Sequence, residues 1–233
     1  MPFCKGTFTF EGGCKCKAVR YRVVVPPWQS RIALPYKSED ADIKDRLPVS
    51  IICHCNNCRE ATGQIGAQYV ALHALTFKIS SRKKIDDPST MTSDREDSEW
   101  LHGKEFEDNL DPSSWLTGFA SSPGRRRWFC ARCGTPIAYT IDEGKGPEGW
   151  PPMVDVILGT VDRAWLERKD FKPDHSLWTA LGVPWVREQL RDGAVGMAEH
   201  PLIHVDKKMG DDISSVVEWL SSMGASVEIT IPK

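Results

Sequence analysis

Seven of the eight cysteines in this 233-residue chain are gathered in three short groups. The groups are Cys14 with Cys16, then Cys53, Cys55 and Cys58 in the run CHCNNC, then Cys130 with Cys133 in the run CARC. Cysteines one or two residues apart can place two thiolates on one tetrahedral ion, at Zn–S distances of about 2.3 Å. Zinc is the usual ion in an all-sulfur site. The spacing therefore predicts metal binding, with two zinc ions per chain.

The seven thiols divide most economically into a site of four and a site of three. Pairing the first group with the last gives a closed, structural zinc site made of Cys14, Cys16, Cys130 and Cys133. The middle group then gives the second zinc only three ligands, Cys53, Cys55 and Cys58, and leaves the fourth position to water or an exogenous thiolate. That arrangement is typical of catalytic zinc. In the alternative, Cys4 completes the second site and both zinc ions are structural; the sequence leaves both interpretations open.

Three side chains near these groups are candidate catalytic residues. Arg59 follows Cys58 directly and is predicted to support the negative charge of a three-thiolate zinc site. His54 and His175 are the nearest titratable groups that could transfer a proton. Each histidine also has a structural interpretation, as a partner of the knuckle backbone for His54 and as a buried ring beside Trp178 for His175.

The three consecutive arginines at 125–127 come immediately before the last cysteine group. They could bind a carboxylate or a phosphate, because a guanidinium matches those groups in geometry and charge. Three arginines at the start of a strand are more typical of a solvated strand edge. We therefore predict a solvated edge at this position.

The segments around the cysteines have the patterns of β-strands. Strands are predicted where apolar and polar residues alternate or β-branched residues accumulate, at 7–10, 18–25, 48–53, 67–79, 136–141 and 154–161. Gly12 and Gly13 are predicted to form a turn before the first cysteine group. The expected fold is mainly β, with two small antiparallel sheets organised around the cysteine knuckles.

The remaining segments are predicted to elaborate a single zinc-binding domain that spans 1–192. Insertions at about 26–47 and 80–114 are expected to be surface loops, and the part at 86–111 holds ten acidic and two basic residues. The extension at 193–233 is expected to pack on the same domain. Within it, apolar residues at helical spacing predict an amphipathic helix from Asp212 to Gly224, followed by an edge strand at 226–231.

The overall composition excludes some classes of partner. Thirty basic and 32 acidic residues give a net charge of −2, so no global cationic field attracts nucleic acid or anionic lipid. The chain shows no apolar run long enough to span a bilayer and no secretory leader pattern. We therefore expect a soluble cytoplasmic protein that interacts with neither membranes nor nucleic acid.

Several motifs together resemble those of a known family. GGCKCKAVRY, ICHCNNCREATG, SSPGRRRWFCARCGTPI, ILGTVD and FKPDHSLW occur in that order between Gly12 and Trp185. They look like motifs of the glutathione-dependent formaldehyde-activating enzyme (GFA) family, which includes the centromere protein V type. The resemblance implies a β-tent type of fold, in which the first and last cysteine groups hold the structural zinc. It also implies that Cys53, Cys55 and Cys58 hold the catalytic zinc.

The resemblance also implies a reaction and a small-molecule substrate. In the family's name reaction, the sulfur of glutathione adds to formaldehyde, and the reverse step makes such enzymes carbon–sulfur lyases. We therefore expect a zinc-dependent lyase that activates glutathione, another thiol or a small carbonyl compound. Two alternatives stay open at this point: a hydro-lyase or cyclisation enzyme that acts on a secondary metabolite, and a non-catalytic zinc-stabilised binding module. The sequence does not predict the oligomeric state.

Overall fold

A computed structural model describes residues 3–34, 46–87, 89, 91–96, 99–103, 105–142, 144–146, 149–193 and 198–199. In chain order, the strands and helices of these residues are β1 (Phe8–Gly13), β2 (Val19–Val25), β3 (Val49–Cys53), α1 (Asn56–Thr62), β4 (Ala67–His73), β5 (Phe77–Ser81), β6 (Leu101–His102), α2 (Glu105–Asp108), β7 (Leu116–Ser122), β8 (Arg125–Cys130), β9 (Pro136–Ile141), β10 (Met153–Ile157), α3 (Arg163–Leu166), β11 (His175–Leu177), α4 (Pro184–Gly193) and β12 (Ala198–Glu199).

The strands form two sheets. The smaller sheet has the order β1-β2-β5-β6 and is antiparallel throughout. The larger sheet has the order β12-β11-β3-β4-β10-β9-β8-β7; β11 runs parallel to its two neighbours, and the other pairs are antiparallel. The prediction of a mainly β fold with two sheets is confirmed, and the larger sheet is mixed because of its β11 edge.

The larger sheet has apolar residues on both of its faces. On one face, Val70, Val156 and Trp128 belong to the main core together with Tyr21 and Phe77 of the smaller sheet. Because successive residues of a strand point to opposite faces, their neighbours lie on the other side of the sheet. These neighbours form a second apolar cluster, which includes Ile51, Tyr69, Ala71 and Ile157. The larger sheet therefore lies between the main core and the second apolar cluster.

Parts of both predicted insertions are core rather than surface loop. Leu34 and Leu47 are buried in the second cluster. Phe106 on α2 is fully buried, and its ring centroid lies 4.9 Å from that of Trp128. The prediction of surface loops at 26–47 and 80–114 is wrong for these side chains. Large apolar residues within these polar stretches anchor both insertions to the body of the protein.

Two strand predictions are also corrected. Gly12 and Gly13 belong to β1 rather than to a turn, and a Cβ at Gly12 would come within 2.2 Å of the Tyr21 hydroxyl. The single strand predicted over 67–79 is two strands in different sheets, because the chain turns at Ala74–Thr76. The helix and strand predicted at 212–231 lie outside the described residues. No helix in the described part of the chain combines the length and apolar character needed to cross a bilayer.

Candidate metal centres

The first and last cysteine groups meet in space, as their pairing predicted. The four sulfur atoms of Cys14, Cys16, Cys130 and Cys133 all lie within 4.8 Å of one another. The Sγ–Sγ distances are 3.5 Å between Cys14 and Cys16 and 3.7 Å between Cys16 and Cys130. Two sulfurs on one tetrahedral zinc are about 3.8 Å apart, so these two distances are close to those that the ion requires.

Two tight turns present these four thiols. In the turn between β1 and β2, Lys17 has φ 63° and the Val19 amide donates a hydrogen bond to Cys14 Sγ at 3.2 Å. In the turn after β8, Gly134 has φ 72° and its amide donates to the Cys130 carbonyl at 2.8 Å. A hydrogen bond from the Cys130 thiol lowers the pKa of Cys14 to about 5. Cys14 thus favours thiolate, the form that binds metal, while the same contact raises the pKa of its partner Cys130.

The middle group forms a second cluster on the other side of the larger sheet. The sulfur atoms of Cys53, Cys55 and Cys58 lie within 4.8 Å of one another, and those of Cys53 and Cys55 are 3.5 Å apart. Cys53 ends β3, and Cys55 is the N-cap of α1, where its sulfur accepts a hydrogen bond from the Cys58 amide at 3.3 Å. Among the described residues, this three-cysteine cluster has no fourth His, Cys, Asp or Glu ligand.

Cys4 does not complete the three-cysteine cluster. It is exposed, its amide donates to Asp170 Oδ2 at 3.3 Å, and it does not join either group of sulfurs in the described structure. The alternative in which Cys4 closes the second site therefore has no support in the geometry. The donor sets are four sulfurs in one cluster and three in the other, and both are compatible with zinc.

A buried arginine contacts the three-cysteine cluster. Arg127 is only 7% exposed, and its Nη2 lies 3.5 Å from Cys58 Sγ and 2.6 Å from Asn57 Oδ1. Its Nη1 lies 3.4 Å from the Tyr69 hydroxyl. Hydrogen bonds from Cys53 and Cys55 lower the pKa of Cys58 far below its ordinary value, and the charge of Arg127 lowers it further. Cys58 is therefore held as a thiolate beside a fixed cation.

The prediction of a solvated edge at 125–127 is wrong for Arg127. Its neighbours Arg125 and Arg126 are half-buried, whereas Arg127 points to the face that carries the three-cysteine cluster. The guanidinium also stacks on the Tyr139 ring, 4.8 Å from its centroid. Alternation along β8 places Arg127 on the face opposite to Arg126 and Trp128, and β8 is not an edge strand because it pairs with both β7 and β9.

Asp155 lies in the same cross-strand row as this arginine. The register places Asp155 opposite Tyr139 and Tyr139 opposite Arg127, so the three side chains share one face of the sheet. Asp155 as a whole is half-buried, but its Oδ1 is sealed from solvent and accepts no hydrogen bond from the described residues. Burial raises the pKa of Asp155 to about 7, the Cys58 thiolate adds to the rise, and Arg127 opposes it.

The predicted catalytic residue His54 is buried next to the cluster. Its Nε2 lies 2.9 Å from the Ser176 hydroxyl, while its Nδ1 has no hydrogen-bond partner in the described part of the chain. Burial lowers the pKa of His54, and the positive charge of Arg187 lowers it further. The His54 side chain therefore contacts Ser176 of β11 rather than the backbone of the segment that holds Cys53, Cys55 and Cys58. His54 therefore favours the neutral form and ties β11 to the metal-binding segment.

The structure assigns other partners to Arg59 and His175. The Arg59 guanidinium lies 3.4 Å from Asn56 Oδ1 and 2.9 Å from Glu60 Oε1, and its side chain is 38% exposed. His175 Nδ1 lies 2.7 Å from Asp174 Oδ1 in a buried position. Neither side chain contacts a sulfur of the three-cysteine cluster in these hydrogen bonds. In the part of the chain that the structure describes, the cation that contacts a sulfur of this cluster is Arg127.

Comparisons with known proteins add little to this geometry. No protein-family model matches the chain. No curated protein matches it. The crystal structure of a Rhodobacter sphaeroides protein, a structural genomics target, is 17% identical, covers 68% of this chain and 95% of that chain, and has a TM-score of 0.31. At that TM-score the likeness supports no statement about fold or function. The fold and its clusters define a mainly β protein with two groups of thiols that could hold metal ions.

Proposed function

We propose that this protein is a zinc-dependent carbon–sulfur lyase-like enzyme, which joins a thiol to a small carbonyl compound and catalyses the reverse cleavage. The observation that carries the proposal is the three-sulfur donor set of Cys53, Cys55 and Cys58, with the buried cation Arg127 against Cys58 Sγ. A closed four-sulfur cluster elsewhere in the chain gives the contrast. Zinc in a three-sulfur site supplies a Lewis acid that lowers the pKa of the thiol completing its coordination.

Arg127 balances charge in this proposal. Three thiolates exceed the charge of one zinc ion, and a substrate thiolate makes the excess larger. A guanidinium that is 7% exposed acts through a medium of low dielectric, where its charge is weakly screened. Asn57 and Tyr69 hold the guanidinium in place through hydrogen bonds. Arg127 thus takes the supporting role that the sequence predicted for Arg59.

Asp155 carries the proton in this proposal. In the addition, a sulfur–carbon bond forms, the carbonyl π electrons move to oxygen, and the proton lost by sulfur ends on that oxygen. A carboxyl group with a pKa of about 7 can both accept and return a proton near neutral pH. The position of Asp155 in one row with Tyr139 and Arg127 keeps it on the side of the sheet that carries the three-cysteine cluster.

The resemblance to the GFA family supports the same reaction. In that resemblance, Cys53, Cys55 and Cys58 correspond to the catalytic ligands and the four-cysteine cluster to the structural ones. The geometry agrees with this division, because the two clusters differ in the number of sulfurs and lie on different sides of the larger sheet. Glutathione and formaldehyde remain the first substrates to try.

Cobalt substitution tests the proposal directly, because a change of ligand at cobalt(II) changes its visible spectrum. We expect glutathione or 2-mercaptoethanol to shift the ligand-field bands of the protein with a saturating dependence on concentration. Cys58→Ser should abolish the shift, and the matched control Cys4→Ser should preserve it, since Cys4 lies outside both clusters.

Activity is measured in parallel with the zinc protein. NMR exchange spectroscopy gives the rate at which a thiol and an aldehyde interconvert with their adduct. We expect acceleration that needs Cys58 and does not need Cys4. A cobalt spectrum that no thiol changes, together with no acceleration for any thiol and aldehyde pair, would contradict the proposal and favour a binding module.

A further inference from the structure

A cavity of about 320 Å³ lies beside the three-cysteine cluster, between α1 and the strands β7 to β9. Thr62 lines this cavity, and its hydroxyl donates a hydrogen bond to the Cys58 carbonyl at 2.7 Å. Arg127 also lines it and contacts Cys58 Sγ at 3.5 Å. The volume is at the lower end of the range for small-molecule sites, roughly 300–1,000 Å³. A molecule in the cavity would therefore sit next to the cluster.

The wall of the cavity is mostly apolar. Its apolar lining residues include Ala61, Phe119, Phe129, Pro136 and Ile157. The rings of Phe119 and Phe129 meet edge to face, with centroids 6.3 Å apart. Phe119 lines the cavity and is 48% exposed, so part of its ring is accessible to a bound molecule. This wall suits a flat apolar group that enters from the side of β7.

Charge in and around the cavity is sparse. Arg127 is the charged residue among the side chains that line it, and its guanidinium already contacts Asn57 and Tyr69. Asp155 lies in the same cross-strand row as Arg127, and its carboxylate would repel an anionic ligand. Glutathione carries two carboxylates and one ammonium, and burying such groups without partners is strongly unfavourable. The cavity therefore fits poorly with the charged ends of the tripeptide.

We propose that the cavity binds the carbonyl substrate, and that this substrate is an apolar, uncharged compound with an aromatic ring, whose carbonyl oxygen faces Arg127. The ring lies against Phe119 and Phe129, and the carbonyl carbon faces the three-cysteine cluster. This inference rests on the proposed function for the reaction, but the ligand class follows from the cavity alone. It selects aromatic aldehydes over formaldehyde as electrophiles.

Binding is tested on the zinc-loaded protein by calorimetric titration with acetophenone, an aromatic carbonyl compound that does not react with lysines. We expect saturable binding that weakens at least fivefold in Phe119→Glu, which places a carboxylate at the cavity. Leu75→Glu is the matched control, because Leu75 is 81% exposed and lies outside the cavity lining. Both positions are exposed enough to accept glutamate without unfolding the core.

The outcomes separate this inference from the proposed function. Equal effects of Phe119→Glu and Leu75→Glu, or no acetophenone binding, would overturn the inference. Acceleration of glutathione addition to formaldehyde that needs Cys58 but is unchanged in Phe119→Glu would also overturn it while upholding the proposed function. Acetophenone binding that Phe119→Glu weakens, with no acceleration of benzaldehyde addition by any thiol, would support the ligand class and contradict the lyase.

Discussion

Replacing Asp155 with asparagine should make the protein more stable and less active at the same time. Because burial raises the pKa of this carboxyl from 3.8 to about 7, its ionised form is disfavoured in the folded state. The folded state then binds more protons than the unfolded state between those two pKa values, so stability falls as pH rises through that window. Above pH 7 the whole cost is present, and asparagine, which has no charge, removes it.

The structure sets the size of this effect. A pKa change from 3.8 to about 7 corresponds to about 4 kcal/mol of unfolding free energy above pH 7, as an upper value for a half-buried side chain. Asp155 Oδ1 has no hydrogen-bond partner among the described residues, so an asparagine amide in its place would also lack one. Burying amide hydrogens without a partner costs about 1–3 kcal/mol. We therefore expect Asp155→Asn to unfold with about 1–3 kcal/mol more free energy at pH 8. The gain should shrink as pH is lowered.

Urea unfolding of the zinc-loaded proteins at pH 6 and pH 8 measures this gain, and the rate of adduct formation measures activity. If Asp155 carries the proton, the variant should lose roughly 100-fold or more in rate and the pH dependence near neutrality. Glu167→Gln is a surface control, since its carboxylate pairs with Arg163 where both side chains are largely exposed. A variant that is less stable at pH 8, or that keeps full activity with an unchanged pH profile, would refute this reasoning.

Other substitutions test the division of labour in the fold. Cys130→Ser should prevent the protein from folding, so that no cooperative unfolding transition is seen. Cys58→Ser should stay folded, bind about one zinc fewer by metal analysis and lose activity. Equal loss of folded protein in both variants would contradict the assignment. Phe106→Ala should lower the unfolding free energy, measured in urea, by about 3–5 kcal/mol, because Phe106 is fully buried. A change below 1 kcal/mol would show that α2 does not pack into the core. Arg127→Met should raise the pH at which added thiol binds the cobalt protein, while Arg59→Met should not.

The local parts of the two metal sites could be predicted from sequence. Cys53, Cys55 and Cys58 fall within six residues, so a single turn and the start of α1 suffice to bring them together. The pairing of the other two groups followed from counting ligands, although Cys14 and Cys130 are far apart in the chain. Spacing alone was informative because metal coordination demands particular side chains at short range.

The partners of the three-cysteine cluster depend on register, which the sequence does not state. Arg127 and Asp155 reach the same face only because β8, β9 and β10 pair in one particular alignment. A signal was present nonetheless. Asp155 is the charged residue in the otherwise apolar run MVDVILG, and a charge in an apolar strand points to a buried role. The arginines gave no comparable signal, since nothing in the run of three singled out Arg127.

The two clusters differ in when a growing or refolding chain can bind metal. The three-cysteine ligands are close in sequence, so they can capture an ion before any sheet exists. The four-cysteine cluster joins Cys16 to Cys130 across 114 residues, and closing such a long loop costs about 3 kcal/mol more than closing a loop of a few residues. Metal should therefore enter the local cluster first, and the distant cluster should fill last, as the step that locks the two sheets together.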